Sequence, residues 1–189
     1  IQIISSEELK ATGALAVADA LQQISGVDIR RRGVSGAQAD LYIRGGSFDQ
    51  TLLLIDGIKL DDAQTGHHSL NFLLPLETIE RIVIIRGPAA RVFGQNAFTG
   101  AVNIVTKKEI TTGGTAQIGA GSYSQLQGGL SLSKRNENGG IFTHFSTISS
   151  DGYRYNTDFK NHTAYIKASV AENKKLPVQV LAFFSGRKF

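Results

Sequence analysis

Four short apolar runs lie between residues 41 and 107, and each of them is rich in Ile, Leu or Val. A glycine follows or closely flanks each run, and the runs cover residues 41–43, 52–55, 82–85 and 101–105. Short apolar runs that are bounded by turn residues are typical of buried strands. We therefore expect this stretch to form the strands at the centre of a small domain.

The first 40 residues predict an edge strand, short helices and a second strand. An apolar run covers 1–4, and the hydroxyl and acidic side chains at 5–8 are typical of a helix start. Apolar residues at helical spacing predict one or two short helices over 6–24, with a break near Gly13. Alternating apolar and charged residues at 27–30 predict a half-buried strand.

Two further short helices are predicted between the central strands. One covers 75–80, and the other covers 88–94, with a proline in its first turn and a glycine as its C-terminal cap. With these helices, residues 1–107 are expected to form an α+β domain with a small mixed sheet.

Beyond residue 113 the pattern changes to an alternation of apolar with polar or small residues. In 116–120 and 164–170, the even-numbered positions are Ala, Ile or Val, and the positions between them are mostly polar residues or Gly. This period of two predicts strands. We expect five strands of about ten residues, over 115–122, 125–134, 141–150, 163–172 and 178–187.

The connections between these strands differ in length. Short turns are expected at 135–140 and 173–177, and a longer polar and aromatic loop at 151–161. Such a pattern is typical of an outer-membrane β-barrel. A soluble antiparallel meander with one solvated face has the same period, and alanines at several apolar positions weaken the membrane case. Periodicity alone leaves both open.

Composition excludes several classes of function. The net charge of +4 is small and mostly dispersed, so no nucleic-acid-binding face is expected. The chain contains no Cys, which excludes disulfides and sulfur metal sites. No run of about 20 apolar residues exists, so a membrane role would require β-strands. No nucleophile or phosphate-loop motif is present, and we expect no enzymatic activity and no cofactor.

Two segments resemble the TonB-dependent outer-membrane receptors. They are LYIRGGSFDQTLLLIDGIKL at 41–60 and ETIERIVIIRGPAARVFGQNAFTGAVNIVTKK at 77–108, and they stand in the family's order and spacing. The resemblance implies that 1–107 is the plug domain. It also implies that 113–189 contains the first five strands of a barrel of about 22 strands. The segment TGHHSLN at 65–71 is most similar to cobalamin-receptor-like members.

The resemblance implies a function and a location. It implies a receptor of the Gram-negative cell outer membrane that binds a scarce nutrient, such as a siderophore or cobalamin, and gates its uptake. An inner-membrane TonB-type protein would supply the energy by pulling on an amino-terminal segment. The alternative is a soluble plug-like or sheet domain that acts as a partner-binding or signalling module.

Arg44 and Arg86 are the candidate latch between plug and barrel. Both stand in Arg-Gly signatures, and the resemblance implies that they pair with acidic side chains of the barrel wall. A charge-assisted bond between Arg and a carboxylate in a wet interface is firm and yet releasable. The alternative is that both are ordinary strand-end arginines.

The loop at 61–71 is the candidate contact with the ligand, because the resemblance places an apical plug loop there. Its candidate residues are Asp61, Asp62, Gln64, His67 and His68. Adjacent histidines project apart in an extended chain, and no helical pair is present, so no metal site is expected. An ordinary polar loop is the alternative.

The chain also departs from the family pattern at both ends. The amino-terminal coupling segment does not precede the first plug strand, and about 17 barrel strands are not in the chain. Five strands cannot close a barrel, and their open edges invite pairing with other chains. We expect the chain by itself to transport nothing. We also expect its plug to fold and its later strands to be disordered, swapped or aggregated.

Overall fold

The computed structural model describes residues 1–33, 37–60, 70, 74–88, 90–107, 111–170 and 178–188. The chain divides into two compact units, Ile1–Lys107 and Lys108–Phe189. Among the described residues, no helix has the length and hydropathy that are needed to cross a bilayer.

The first unit is built on a mixed five-stranded sheet. Its elements are β1 (Gln2–Ser5), α1 (Ser6–Ala11), α2 (Val17–Gln22), β2 (Val27–Arg31), β3 (Ala39–Ile43), β4 (Thr51–Ile55), β5 (Ile58–Leu60), β6 (Ile79–Arg86), α3 (Ala90–Phe93) and β7 (Gly100–Thr106). The sheet has the order β1-β6-β7-β4-β5, and β2 and β3 form a separate hairpin. The four apolar runs are therefore confirmed as strands.

The core of this unit surrounds β4 and β7, which run parallel to each other. All five residues of β4 are buried, as expected for a strand that is covered on both faces. On its other side, β7 pairs antiparallel with β6. The strand β1 lies at the edge of the sheet, and among the described strands it pairs with β6 alone, from Gln2 opposite Ile84 to Ser5 opposite Arg81.

The helix start at residues 5–8 is a reciprocal cap. The backbone N–H of Glu8 donates to Ser5 Oγ at 3.2 Å, and the backbone N–H of Ser5 donates to Glu8 Oε2 at 2.7 Å. The bond from the Ser5 backbone, followed by that from its hydroxyl, lowers the pKa of the Glu8 carboxyl. The break that we predicted near Gly13 is confirmed, since two helices flank it and its φ is +65°.

Two predicted boundaries were wrong. The helix expected over 75–80 is a single 3₁₀ turn at Leu76–Thr78, because Ile79 already lies fully buried in β6, opposite Thr106. The helix expected over 88–94 covers only Ala90–Phe93, although Gly94 ends it in the left-handed conformation as predicted, with φ +83°.

The second unit is an antiparallel meander of five strands. They are β8 (Gly113–Gly121), β9 (Gln125–Asn136), β10 (Gly139–Ser150), β11 (Phe159–Val170) and β12 (Val178–Lys188), and each pairs with its neighbours in sequence. The five predicted strands are confirmed. However, β11 begins four residues earlier than predicted, because its ladder with β10 continues to Phe159, opposite Ser150. The predicted loop at 151–161 is shorter for the same reason.

The two faces of this sheet show the reverse of the polarity found in a soluble protein. On β11, Asn161 and Lys167 are only 2% and 3% exposed, whereas Ile166 and Val170 are 40% and 58% exposed. A soluble meander would bury its apolar side chains instead. We call the exposed side the apolar face; it carries the even-numbered positions of β8, β9, β11 and β12 and the odd-numbered positions of β10. This polarity favours a membrane barrel over a soluble sheet.

The parallel pair β4–β7 is fixed at one end by the turn after β4. Asp56 and Gly57 have φ of +50° and +82°, which makes this Asp-Gly pair a type I′ hairpin turn between β4 and β5. The Asp56 carboxylate accepts hydrogen bonds from the backbone N–H of Thr106 at 2.7 Å and from the Thr106 hydroxyl at 2.5 Å. The Gly57 N–H donates to Asn103 Oδ1 at 3.0 Å. Asp56 therefore both forms the turn and holds the end of β7.

Thr99 fixes the other end of the pair. Its N–H donates to the Gln50 carbonyl at 3.0 Å, and its hydroxyl lies 2.9 Å from the hydroxyl of Thr51, the first residue of β4. Gly46 packs tightly against this residue: a Cβ at Gly46 would lie 2.0 Å from Thr99 Cγ2. A Cβ at Gly100 would lie 2.5 Å from the Ile85 carbonyl oxygen. These two glycines are therefore required by close approach.

We expect Asp56→Asn to loosen the end of β7. Asn tolerates the left-handed backbone, but it lacks the second acceptor oxygen, so one donor of buried Thr106 loses its partner. The free energy of opening at the Thr106 amide should fall by about 1–2 kcal/mol, as measured by hydrogen exchange. The exposed Asp49→Asn is the matched control and should leave this amide unchanged. Equal exchange in both variants would contradict the role of Asp56.

We expect Gly46→Ala to destabilise the first unit by about 1–3 kcal/mol, because the new methyl group overlaps Thr99. Adding Thr99→Ser to Gly46→Ala removes Cγ2, keeps the hydroxyl and should recover part of the loss. Gly113→Ala, where a Cβ meets open space, is the control. Proteolysis in increasing urea measures the stability of the unit. The steric explanation fails if Thr99→Ser deepens the loss.

Candidate functional site

The two Arg-Gly signatures meet at one end of the first unit's sheet. Arg44 directly follows β3, and Arg86 is the last residue of β6. Arg44 has φ +54°, and Gly87 has φ +104°. Arg44 Nη1 lies 3.6 Å from the position that a Cβ on Gly87 would occupy. The structure thus brings together the two Arg-Gly signatures, which lie far apart in the sequence.

Thr99 connects these turns to the parallel strands. Its carbonyl accepts the N–H of Gly87 at 2.8 Å, and its side chain is the one that packs against Gly46. Sequence reasoning missed this residue. The only local signal is a hydroxyl side chain directly before Gly100, and its partners at 46, 50, 51 and 87 lie far away in the sequence.

Arg86 is bound within the first unit. Its Nη2 donates to the Ser25 carbonyl at 2.5 Å and to Gln2 Oε1. Gly26 has a φ of +78° and lies next to the guanidinium of Arg86. A Cβ on Gly26 would lie 3.7 Å from Arg86 Nε. The Nε atom itself is buried and has no hydrogen-bond partner among the described residues. Arg86 therefore joins the end of β6 to the edge strand β1 and to the turn before β2.

Arg44 stands in a different environment. Its side chain is exposed, and it makes no hydrogen bond or ion pair with any residue that the structure describes. The positive φ of Arg44 is unusual for a residue with a long side chain. The guanidinium is thus available for a carboxylate outside the first unit. The assignment of Arg44 and Arg86 as a latch stays a prediction.

The candidate ligand-facing residues cannot be placed by the structure. Asp61, Asp62, Gln64, His67 and His68 lie in 61–69, outside the described residues. The described residues on either side are Leu60, which ends β5, and Leu70, which is buried. Their contact with a ligand stays a prediction.

An aromatic and cationic stack lies on the β2–β3 hairpin. The Arg30 guanidinium lies 4.5 Å from the centre of the Tyr42 ring, which contacts Phe48 edge to face at 6.5 Å. Arg30 also pairs with Asp28 at 3.0 Å, and Arg31 pairs with Asp19. These contacts bind Arg30 and Arg31 to acidic and aromatic partners within the first unit.

Comparison with known proteins gives the family. The model of the TonB-dependent receptor plug domain matches residues 1–101. The vitamin B12 transporter BtuB of Vibrio vulnificus (strain CMCP6) is 33% identical over 140 residues, which is 74% of this chain and 23% of that protein. BtuB of Vibrio cholerae serotype O1 (strain M66-2) is 33% identical over 158 residues, which is 81% of this chain and 25% of that protein. The chain thus spans about a quarter of the length of these relatives.

Solved structures show the same fold at low sequence identity. The pyoverdine outer membrane receptor FpvA of Pseudomonas aeruginosa PAO1 has a TM-score of 0.81 at 18% identity, over 97% of this chain and 27% of that chain. The copper transporter OprC has a TM-score of 0.79 at 19% identity, over 98% of this chain and 31% of that chain. The predicted fold class is therefore confirmed: an α+β plug with a small mixed sheet, followed by antiparallel strands of an incomplete outer-membrane barrel. The model of the TonB-dependent receptor plug domain matches more than half of this chain, and the chain therefore belongs to the TonB-dependent receptors of the cell outer membrane.

Proposed function

We propose that this chain is the gate and the first part of the wall of a receptor that takes up a scarce nutrient across the outer membrane. One observation carries the proposal: a compact plug-like unit precedes a sheet whose middle strands, β9 to β11, expose apolar side chains on one face and bury polar side chains on the other. Such a sheet suits a lipid environment. The alternative, a soluble partner-binding module, would require the opposite polarity.

We propose a corrinoid of the cobalamin type as the nutrient. The support comes from sequence relatives that are named vitamin B12 transporters and are 33% identical over most of this chain. The receptors named for siderophores and copper share the fold at about half to two thirds of that identity. The relatives are transport receptors, and the proposal includes no catalytic step.

The edge strand β1 is the element that a TonB-type protein of the inner membrane would release. This strand has four residues and one neighbour, and Ile1 and Ile3 are 90% and 58% exposed. Elements with few buried contacts open at low free energy. The bond from Arg86 to Gln2 must break when β1 leaves β6. We therefore propose that Arg86 clasps the strand on which the energy-coupling protein acts.

Arg44 is the better candidate of the two for a latch to the barrel wall. Its guanidinium is exposed and uncommitted among the described residues, whereas that of Arg86 already binds Gln2 and Ser25. A guanidinium fork pairs with a carboxylate through two parallel bonds. An acidic side chain of the barrel is the partner that this geometry suits.

Arg86→Gln and Arg44→Gln should separate these two roles in the full-length receptor. Arg86→Gln should speed hydrogen exchange of the amides that join β1 to β6 by about tenfold, because a charged hydrogen bond to each of two segments is lost. Arg44→Gln should leave those amides unchanged and lower the resistance of the whole plug to extraction by urea. Equal exchange in both variants would contradict the clasp.

The nutrient itself is tested by ligand binding to outer-membrane vesicles that carry the full-length receptor. We expect cyanocobalamin to bind and a ferric siderophore not to compete, and we expect uptake by cells to require the TonB-type protein. Replacing both His67 and His68 with Ala should weaken binding about fivefold, while the control His162→Ala should not. Competition by the siderophore would contradict the proposal that the nutrient is a corrinoid. Uptake without the TonB-type protein would contradict the proposal that uptake is energy-coupled.

A further inference from the structure

Two lysines stand directly opposite each other on the apolar face of the second unit. Lys160 of β11 pairs in register with Lys188 of β12, and Ser149 of β10 is the other neighbour of Lys160. Both lysines are exposed. The next row of the same face carries Thr147 and His162. One end of the apolar face is therefore basic and rich in hydroxyl groups.

Most of the rest of this face is apolar, although Lys134, opposite Ile141, lies near its other end. Two rows beyond the lysines, five side chains stand side by side in register across the sheet. They are Ala116, Leu130, Phe145, Ala164 and Phe184. Four of them, all except Ala116, border an open groove of about 510 Å³, together with the following row, which includes Leu132 and Ile166. A groove of this composition suits acyl chains.

The lysine pair is unfavourable by itself. Side chains that stand directly opposite have Cβ atoms about 4.5–5.5 Å apart, and like charges at that distance destabilise a sheet. Asp158 lies two positions before Lys160, but it forms no ion pair with either lysine. Lysines on edge strands can protect a sheet from aggregation. However, β11 is paired on both sides, so edge protection does not explain Lys160.

We propose that Lys160 and Lys188 bind the phosphate of an anionic membrane lipid, whose acyl chains occupy the groove. Two ammonium groups supply the charge, and the hydroxyls of Ser149 and Thr147 supply further donors. This site goes beyond nutrient uptake, since it faces away from the buried polar side of the sheet.

The spacing along the strands fits such a lipid. From Lys160 to Ala164 the strand rises about 13 Å, which becomes about 9 Å of depth when the strand is tilted about 45°. The interfacial layer that holds the headgroups is about 5–8 Å thick on each side of a bilayer. The apolar row therefore begins just below the layer in which the phosphate lies.

The test uses the full-length receptor in neutral detergent, with phosphatidylglycerol as the probe and native mass spectrometry as the measurement. Lys160→Gln together with Lys188→Gln should weaken retention of the lipid about thirtyfold, since each lysine near a membrane surface contributes about fivefold. The matched control is Lys10→Gln. Lys10 is exposed on α1 of the first unit and does not belong to the apolar face, so its loss should change retention less than about twofold.

A charge reversal distinguishes lipid binding from a structural role. Lys188→Glu creates an opposite-charge pair with Lys160, so it should stabilise the sheet in the absence of phosphatidylglycerol and abolish retention in its presence. Inorganic phosphate should displace the lipid poorly, because it cannot fill the groove. The proposal is overturned if the double variant retains the lipid like the unchanged receptor, if Lys10→Gln weakens retention equally, or if inorganic phosphate displaces the lipid readily.

Discussion

The parallel pairing of β4 with β7 is the contact on which the first unit depends, because it joins segments that are far apart in the sequence. Closing such a long loop costs conformational entropy that the burial of both strands must offset. Side chains fix the pair at each end, with Asp56 on Thr106 and Thr99 on Thr51. The remaining strands of the sheet attach on either side of this pair, β6 and then β1 beyond β7, and β5 beyond β4.

This arrangement gives the plug a firm centre and a weakly held margin. The central strands are buried and bonded on both sides, whereas β1 has one neighbour and is held in addition by Arg86 through Gln2. The gate that we propose would need both properties, since it would have to seal when at rest and open locally when pulled. Local opening begins where backbone hydrogen bonds are exposed and buried contacts are few.

The sequence predicted most strands because their signals are local: an apolar run that is flanked by glycine, or a period of two. It could not predict the second role of Asp56 or any role of Thr99, because their partners lie tens of residues away and leave no local pattern. Arg44 and Arg86 illustrate the same limit. Their signatures are nearly identical, yet the fold binds Arg86 to Gln2 and Ser25 and leaves Arg44 exposed.

The polarity of the second unit could not be predicted either, because a period of two is the same whichever face is buried. The burial of the side chains in the structure shows which face is exposed. The lysines of the apolar face then mark the limits of the apolar band. A Lys at the middle of a bilayer costs about 2–4 kcal/mol on a barrel strand, so lysines on this face belong near its ends. Lys134 lies in the row of Ala168, eight residues along β11 from Lys160. That separation is about 27 Å along the strand, or about 19–22 Å across a bilayer at a tilt of 35–45°. This distance is close to the height of about 25 Å of the apolar band that outer-membrane barrels present to lipid. Lys160 and Lys188 therefore stand at one limit of the band, at the level of the headgroups.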